Sequence, residues 1–320
     1  MKLRGVDLRR AAPLLLLFGA MACGGQGGRS GATYPAPGGS SYGSLAQPQE
    51  LGSGGGGALR GYAPLVDGGR GGGRLKINAS TLKLDGTISA NGQAGVDDGW
   101  YRKSGGGGSG GTALITAARL EGSGAVTANG GPSRFSGGGG GGGRIVISYG
   151  TSVFVGTITA RGGPGYQFGG AGTVIYGSDL RIDNGVSGAN TTILSGTYGF
   201  ERVSIDSHAA VEMEAGATLS AGSFSTQGNS TFTNRGSLAV TVAASAMGAS
   251  VLRQLAGTLS APRLEARTGG LFTYEGGTLS AQEAETASGG TLSVNARLDL
   301  ARLLVAPGGL VTHGPGDADF

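Results

Sequence analysis

Residues 72–92 read GGRLKINASTLKLDGTISANG, and this Gly-rich unit returns twice further along the chain. The later copies are GGTALITAARLEGSGAVTANGG from Gly110 and GGRIVISYGTSVFVGTITARGG from Gly142. Two apolar columns keep their spacing through the three copies: Ile77, Ile115 and Ile147 form one, and Ile88, Val126 and Ile158 form the other. Successive steps are 38 and 32 residues in both columns, so only the Gly-rich segment changes length. Such a repeat indicates a solenoid, because one unit cannot bury its own apolar edge and must stack on the next.

From about residue 199 onward the repeat becomes shorter and more regular. One apolar column recurs at steps of 21, 20, 20, 20 and 19 residues, and a second column runs beside it. The first column is Val211, Phe232, Leu252, Phe272, Leu292 and Val311, and the second is Leu219, Leu238, Leu259, Leu279 and Leu298. The sequence therefore predicts coils of about 20 residues in this half of the chain.

The local pattern within each unit is that of a strand. Residues 74–78 and 157–160 alternate apolar and polar side chains, which places alternate residues on opposite faces of a sheet. Beyond the N-terminus, no stretch of a dozen residues carries apolar residues at helical spacing. Short strands that recur once per coil predict an all-β fold, a right-handed parallel β-helix with Gly-rich insertions in its N-terminal half.

Glycine accounts for 71 of the 320 residues. Collagen is excluded because no strict every-third-residue glycine runs through the chain, and the evenly spaced Val, Ile, Leu and Phe argue against a disordered chain. The Gly runs lack the Gly-Lys-Ser/Thr of a phosphate loop and the aspartates of calcium-binding β-rolls. What remains is steric, because stacked glycine segments can approach closely as hydrogen-bonded extended chains of the polyglycine type.

The sequence divides into four parts. Residues 1–22 combine Lys2 and several arginines with a short apolar run, which predicts an export signal. Residues 23–53 are rich in Gly, Ser and Pro and predict a flexible tether. Residues 54–188 form the wide-coil β-helix, and residues 189–320 form the narrow one.

Cys23 is the single cysteine and directly follows Ala20-Met21-Ala22. This arrangement resembles a bacterial lipobox, in which the thiol is lipidated, although Ala20 stands where that motif usually has Leu. The resemblance implies a lipid anchor in the outer membrane and display at the cell surface. Plain cleavage after Ala22, which would give a secreted protein, is the alternative.

Each Gly-rich insertion of the wide half carries at least one aromatic residue. These residues are Trp100 and Tyr101, then Phe135, then Tyr166 and Phe168. Because the insertions occupy equivalent places in successive coils, we expect them to stack on one side and to bring the rings near one another. A row of exposed rings with nearby polar groups such as Asp97 and Asp98 is suited to binding sugars. The alternative is that the rings fold back and anchor the Gly segments.

An enzyme is the competing functional hypothesis, since polysaccharide lyases and hydrolases also use the β-helix. Asp97 and Asp98 superficially resemble the paired carboxylates of such hydrolases, which must flank the scissile bond. The Gly-His-Gly of that family is missing, and the two histidines, His208 and His313, lie far from the acidic pair in coil register. No metal-binding cluster, nucleophile triad or cofactor fingerprint appears in the sequence, so we predict no catalytic residues, no metal and no cofactor.

The charge pattern gives no indication of nucleic-acid binding. The formal net charge is +4, and the basic residues are scattered singly instead of clustering. We therefore expect no nucleic-acid partner.

The GGGGGG-R-I-x-I and L-x-G-x-I-x-A-x-GG units resemble the Gly-rich β-helical surface proteins of GC-rich, myxobacteria-like bacteria, many of which are lipoproteins. The resemblance covers roughly residues 54–185 and implies an architecture without any catalytic residue. Together with the residues above, it predicts a non-enzymatic surface or secreted protein, structural or adhesive, that contacts surface polysaccharide through its loop aromatics.

Overall fold

The structure is a computed structural model that describes residues 44–60, 63–98, 103–185 and 190–313. Within these ranges the chain forms strands and no helix, and hence no helix that could cross a membrane. The strands are β1 (Ala58–Arg60), β2 (Ala63–Val66), β3 (Arg74–Lys83), β4 (Thr87–Ser89), β5 (Thr112–Glu121), β6 (Ala125–Thr127), β7 (Arg144–Ser152), β8 (Thr157–Thr159), β9 (Thr173–Tyr176), β10 (Asp179–Asp183), β11 (Thr191–Leu194), β12 (Thr197–Asp206), β13 (Ala210–Met213), β14 (Thr218–Thr226), β15 (Thr231–Asn234), β16 (Ser237–Met247), β17 (Val251–Gln254), β18 (Thr258–Arg267), β19 (Leu271–Tyr274), β20 (Thr278–Ala287), β21 (Thr291–Val294), β22 (Arg302–Val305) and β23 (Leu310–His313).

One long sheet, the central sheet, runs through the whole molecule in the order β3-β5-β7-β9-β10-β12-β14-β16-β18-β20-β22. A three-stranded sheet, β4-β6-β8, completes the N-terminal coils, which we call the wide solenoid. A seven-stranded sheet, β11-β13-β15-β17-β19-β21-β23, completes the C-terminal coils, the narrow solenoid, in about six turns. Apart from the β1–β2 and β9–β10 pairs, all strand pairs are parallel, so the predicted parallel β-helix is confirmed.

The apolar columns read from the sequence are true ladders. Ile77 pairs in register with Ile115, and Ile115 with Ile147. In the narrow solenoid, all six members of the column from Val211 to Val311 are register partners, and so are the first four members of the second column. Leu298, the fifth, is buried but lies outside the strands.

The chain reverses direction inside the central sheet, a feature that the sequence analysis did not predict. A two-residue hairpin at Gly177–Ser178 joins β9 to β10, which are antiparallel, with Tyr176 opposite Asp179. Gly177 has φ of 62°, a conformation that favours glycine at the first central position of such hairpins. The change from wide to narrow coils therefore falls before the boundary predicted after residue 188.

The reversal moves the core to the opposite face of the sheet. Ile145 and Ile147 of β7 face the wide core, whereas Val146 between them contributes to the narrow core. On β9, Ile175 shares its face with Leu180 of β10, and both belong to the narrow core. At the reversal, both the strand direction and the buried face of the sheet change, while successive strands continue to stack in one direction. The two changes cancel, so the two solenoids have the same handedness.

The Gly-rich segments of the wide solenoid form a layer that we call the glycine bundle. Its outbound segments, residues 90–96, 128–133 and 160–165, leave the three-stranded sheet. Its return segments, residues 67–73, 104–111, 137–143 and 168–172, lead back to the central sheet. Residues 51–57 add one further chain. Residues 104–111 and 137–143 are buried throughout, so this core consists largely of backbone.

Hydrogen bonding in the bundle repeats every third residue, as in an extended helix with three residues per turn. From the segment 104–111, Gly106 and Ser109 donate N–H groups to residues 56 and 53, and Gly107 and Gly110 donate to residues 138 and 141. The third set, Gly108 and Gly111, donates to residues 93 and 90, with N–O distances of 2.9 and 2.7 Å. Buried backbone groups must be paired, and this arrangement pairs them with three neighbouring chains. The polyglycine-type packing expected from the sequence is confirmed.

Side chains would not fit between these segments. A Cβ added at Gly107 would overlap the carbonyl of Gly131, and one added at Gly139 would overlap that of Gly163. Glycine is therefore required by the separation of the chains and not by positive φ angles, which none of these residues adopts.

Leu45 and Ala46, at the start of the described chain, pack against the N-terminal end of the narrow core. Leu45 is 1% exposed and lines a small apolar cavity with Leu180, Leu194 and Met213. Further along, Glu50 pairs with Arg144 at 3.5 Å, and its carbonyl accepts a hydrogen bond from Thr112 Oγ1. Residues 44–53 belong to the predicted tether, yet they pack against the folded body. Cys23 lies outside the described residues.

Candidate functional site

The hairpin tips of the glycine bundle lie side by side at one edge of the wide solenoid. We call the described residues 97, 98, 103, 134–136 and 164–167 the tip row. Ser104 Oγ lies 3.0 Å from Ser133 Oγ, and the N–H of Ser133 donates to the carbonyl of Pro164 at 2.8 Å. The N–H of Tyr166 donates to the carbonyl of Gly137 at 2.9 Å. The tips of successive coils are therefore fixed relative to one another, as the sequence predicted.

An ion pair also joins the first two tips. Arg134 Nη1 lies 3.8 Å from Asp97 Oδ2, and the arginine side chain is 79% exposed. Both charged side chains are accessible to solvent, so a ligand hydroxyl at this edge could form a hydrogen bond with either of them. The pair therefore adds hydrogen-bonding capacity next to the rings.

The described aromatic residues of the tips face solvent to different extents. Tyr166 is 67% exposed and Phe135 is 39% exposed. Phe168 is half-buried, and its carbonyl accepts a hydrogen bond from Asn190 Nδ2 at 2.9 Å. Among the described residues, no ring contact joins these three side chains.

Phe135 adopts a backbone conformation that is rare for a bulky residue. Its φ is 46°, in the left-handed region that normally favours glycine. Such strain persists only where the surrounding structure holds it, and it is concentrated at functional positions. No sequence signal indicated this feature, because Phe135 is followed by Ser136 and a glycine run that could have supplied the turn.

Two predicted ligand-binding residues, Trp100 and Tyr101, lie outside the described residues. Their neighbours 98 and 103 are joined by two hydrogen bonds, from Asp98 N to Lys103 O at 3.0 Å and from Lys103 N to Asp98 Oδ1 at 3.2 Å.

Asp97 and Asp98 do not form a facing pair of acids. Asp97 lies in an antiparallel bridge with Ser104, and adjacent residues of such a strand point to opposite sides. Asp97 is engaged by Arg134, while Asp98 accepts a hydrogen bond from the backbone of Lys103. This geometry favours a turn-stabilising role for Asp98 over two carboxylates flanking a glycosidic bond.

The structure brings together another pair of acids that the sequence analysis did not identify. Asp183 and Asp206 are register partners on β10 and β12, and both side chains are nearly buried. Arg161 and Arg181 contact Asp183 at 2.9 and 3.1 Å, and Arg181 also reaches Asp206 at 3.5 Å. The two guanidinium groups balance the charges of the two carboxylates. This ion-pair cluster links Arg161 of the wide solenoid to β10 and β12 of the narrow solenoid. The pairing follows from the reversed strand and could not be read from linear spacing.

The two histidines are not close to Asp97 or Asp98. His208 lies at a corner of the narrow solenoid, where its N–H donates to the carbonyl of Gly228, and His313 ends β23. Within the described residues, no group of three or more His, Cys, Asp or Glu residues is arranged to hold a metal ion.

An aromatic pair, Tyr149 and Tyr176, lies where the wide core ends. The rings of Tyr149 and Tyr176 are 4.7 Å apart, and Tyr176 Oη is 2.5 Å from Ser152 Oγ. Burial raises the pKa of Tyr149 above its usual value, and the nearby Tyr176, Asp179 and Glu201 add to the shift. Both rings pack against the wide core, so this pair covers the core and is distinct from the tip row.

Comparison with known proteins provides no further assignment. No protein-family model matches the chain, and neither curated proteins nor solved structures show detectable similarity to it. The fold class is therefore established by the stacked parallel coils themselves: the protein is a β-solenoid.

Proposed function

We propose that this chain is an exported, non-enzymatic β-solenoid of the bacterial cell surface, structural or adhesive, which contacts polysaccharide through the tip row. The observation that carries the proposal is the fixed row of tips, in which Tyr166 and Phe135 are exposed beside the Asp97–Arg134 pair. Aromatic rings pack against the apolar faces of sugars, and flanking charged groups hydrogen-bond hydroxyls.

The rigidity of the scaffold supports this proposal. The tips extend from the glycine bundle, whose chains are linked by backbone hydrogen bonds in three directions. A preorganised surface loses less conformational entropy on binding than flexible loops would. Spacing of the tips along the solenoid axis also provides several contact points for a linear polymer.

The proposed location follows from the N-terminal sequence. Residues 1–22 serve as the export signal, and Cys23 carries a lipid that anchors the protein in the outer membrane. The partners are thus the membrane, through the anchor, and surface polysaccharide; nucleic acid is not among them.

A glycan array with the purified chain tests the binding proposal. Retention of one or more polysaccharides, lost on substitution of tip-row residues, is the expected result. The competing hypothesis, a polysaccharide lyase or hydrolase using Asp97 and Asp98, predicts release of sugar products from the retained glycan. The tip-row geometry gives that hypothesis no specific support, because the two carboxylates are engaged separately.

A further inference from the structure

One outer surface of the narrow solenoid carries a regular array of hydroxyl groups. It lies on the first halves of strands β12, β14, β16, β18 and β20, where every second residue points away from the core. The outward residues form two ladders that are paired in register from coil to coil. The first ladder is Thr197, Thr218, Ser237, Thr258 and Thr278, and the second is Gly199, Ser220, Ala239, Ser260 and Ser280. We call these positions the hydroxyl array.

The hydroxyl array repeats in two directions at once. Successive coils place equivalent residues about 4.8 Å apart, and the two ladders lie about 6.6 Å apart along each strand. Thr258 Oγ1 donates a hydrogen bond to Ser237 Oγ of the preceding coil at 2.9 Å. Threonine is β-branched and restricted in χ1, so its methyl and hydroxyl groups keep their positions. The array therefore presents hydroxyl and methyl groups on a two-dimensional grid before any ligand binds.

The hydroxyl array differs from the other outer surfaces of the narrow solenoid because none of its positions is charged. The second halves of the same strands carry Arg263, which pairs with Glu265 and Glu285. The seven-stranded sheet carries the pair formed by Arg253 and Glu275. A surface that only needs to be soluble is ordinarily rich in charged residues, so the uncharged array points to a specific role.

We propose that the hydroxyl array binds ice, a function beyond polysaccharide contact at the tip row. Water molecules in ice repeat at fixed distances on each crystal plane, and both repeats of the array are close to oxygen–oxygen repeats on the prism plane. The hydroxyl groups donate and accept hydrogen bonds within this lattice, and the methyl groups favour ordered water around them. Because the solenoid already holds the array in place, binding orders few protein groups.

A sugar polymer is a poorer fit to this surface. Sugar sites combine aromatic rings with a concave shape, whereas the array lies on the outside of a sheet and contains no ring. The ice lattice instead requires a repeat in two dimensions over several coils. The two coils at residues 258–260 and 278–280 meet this requirement most fully, since both of their outward side chains carry hydroxyl groups and are exposed.

Partition into a growing ice crystal tests the proposal. When ice grows slowly in a dilute solution of the purified chain, the protein should be enriched in the ice, whereas proteins that do not bind ice are excluded from it. Thr258→Tyr and Thr278→Tyr should each lose most of this enrichment, because a bulky ring keeps the array away from the crystal plane. Thr81→Tyr is the matched control, at an exposed position of β3 in the wide solenoid, and should partition normally. Exclusion of the unsubstituted chain, or equal loss in all three variants, overturns the proposal.

A variant that completes the array provides an independent test, because loss of folding cannot imitate a gain of activity. Ala239 is exposed and stands in the second ladder between Ser220 and Ser260. Ala239→Thr adds a hydroxyl and a methyl group at this gap and should strengthen the inhibition of ice recrystallisation. Tyr166→Ala, in the tip row, should leave that inhibition unchanged, which separates ice binding from polysaccharide binding. Unchanged or weaker inhibition by a folded Ala239→Thr variant contradicts the proposal.

Discussion

Ile175 lies directly opposite Leu180 across the Gly177–Ser178 hairpin, and both side chains enter the narrow core, although Val174 beside Ile175 enters the wide core. A single turn therefore connects two solenoids that share one sheet and bury its opposite faces. The change of face depends on the tight geometry of this turn, because a longer loop would not fix the β9–β10 register.

Gly177→Val should destabilise the protein by about 1 to 3 kcal/mol, because a β-branched residue is strained at a positive φ. Its Cβ would also lie 2.9 Å from Tyr149 Oη. Ser178→Val is the control, since Ser178 does not have a positive φ. Urea unfolding midpoints measure the difference, and equal midpoints would show that the hairpin does not require glycine.

Gly107→Ala tests the glycine bundle. The added methyl group would overlap the carbonyl of Gly131, so we expect a loss of about 1 to 3 kcal/mol from overpacking. Gly73→Ala is a matched control in an adjoining segment, because a Cβ there meets nothing within 4 Å. Thermal unfolding should separate the two variants, and identical melting temperatures would argue against a closely packed backbone core.

Glu275 gives the narrow solenoid a stability that depends on pH. Hydrogen bonds from Arg253, at 2.6 and 2.5 Å, hold the pKa of the Glu275 carboxyl below its ordinary 4.5. Because the folded-state pKa is lowered, the stabilisation is complete above the unfolded-state pKa and is lost as the pH falls through the folded-state value.

Glu275→Gln should therefore lower the melting temperature at neutral pH and flatten its decline below pH 4.5. Asp299→Asn, in a pair whose aspartate is 76% exposed, should change little because surface pairs contribute little. Melting curves recorded from neutral to acidic pH test this, and parallel profiles for Glu275→Gln and the unsubstituted chain would exclude the effect.

Cys23 is predicted to carry the lipid anchor. Metabolic labelling with a palmitate analogue should label the unsubstituted protein in the outer-membrane fraction and leave Cys23→Ala unlabelled. Equal labelling of both, or labelling of neither, would count against a lipid anchor on Cys23.

Much of the fold could be predicted from the sequence because ladder positions recur at nearly constant steps. The column from Val211 to Val311 could be predicted from its nearly constant period alone, because stacked coils place equivalent residues at regular intervals along the chain. The stacking of the tips could be predicted in the same way. Ile115 and Ile147 occupy equivalent positions in successive coils, so the Gly-rich segments that precede them must also stack.

The change of face at Gly177–Ser178 could not be predicted from the columns. Residues 173–176, TVIY, carry apolar side chains on both faces, so either face of β9 could be buried, whereas residues 179–183, DLRID, alternate. The Gly-Ser pair between these two short runs was the available hairpin signal. The burial of Leu45 could not be predicted either. A single leucine in a Gly/Ser/Pro-rich segment forms no periodic pattern. Leu45 packs against the end of the narrow core, which exists because the chain reverses at Gly177–Ser178.

The candidate site was predictable only in outline. Spacing placed Phe135 and Tyr166 in neighbouring tips, but exposure depends on local backbone geometry, including the positive φ of Phe135. Asp97 and Asp98 were adjacent in sequence, yet adjacency in an extended segment separates side chains instead of joining them.

The most direct test of the proposed function is the affinity of the Tyr166→Ala variant for the polysaccharide best retained on the glycan array. Removal of the most exposed described ring of the tip row should weaken binding by about 1 to 2 kcal/mol, and Trp100→Ala should act in the same direction. Val155→Ala, at an exposed position away from the tips, should bind normally, and no sugar product should appear. Unchanged affinity of Tyr166→Ala would contradict the account, and so would release of sugar products that disappears with Asp97→Asn.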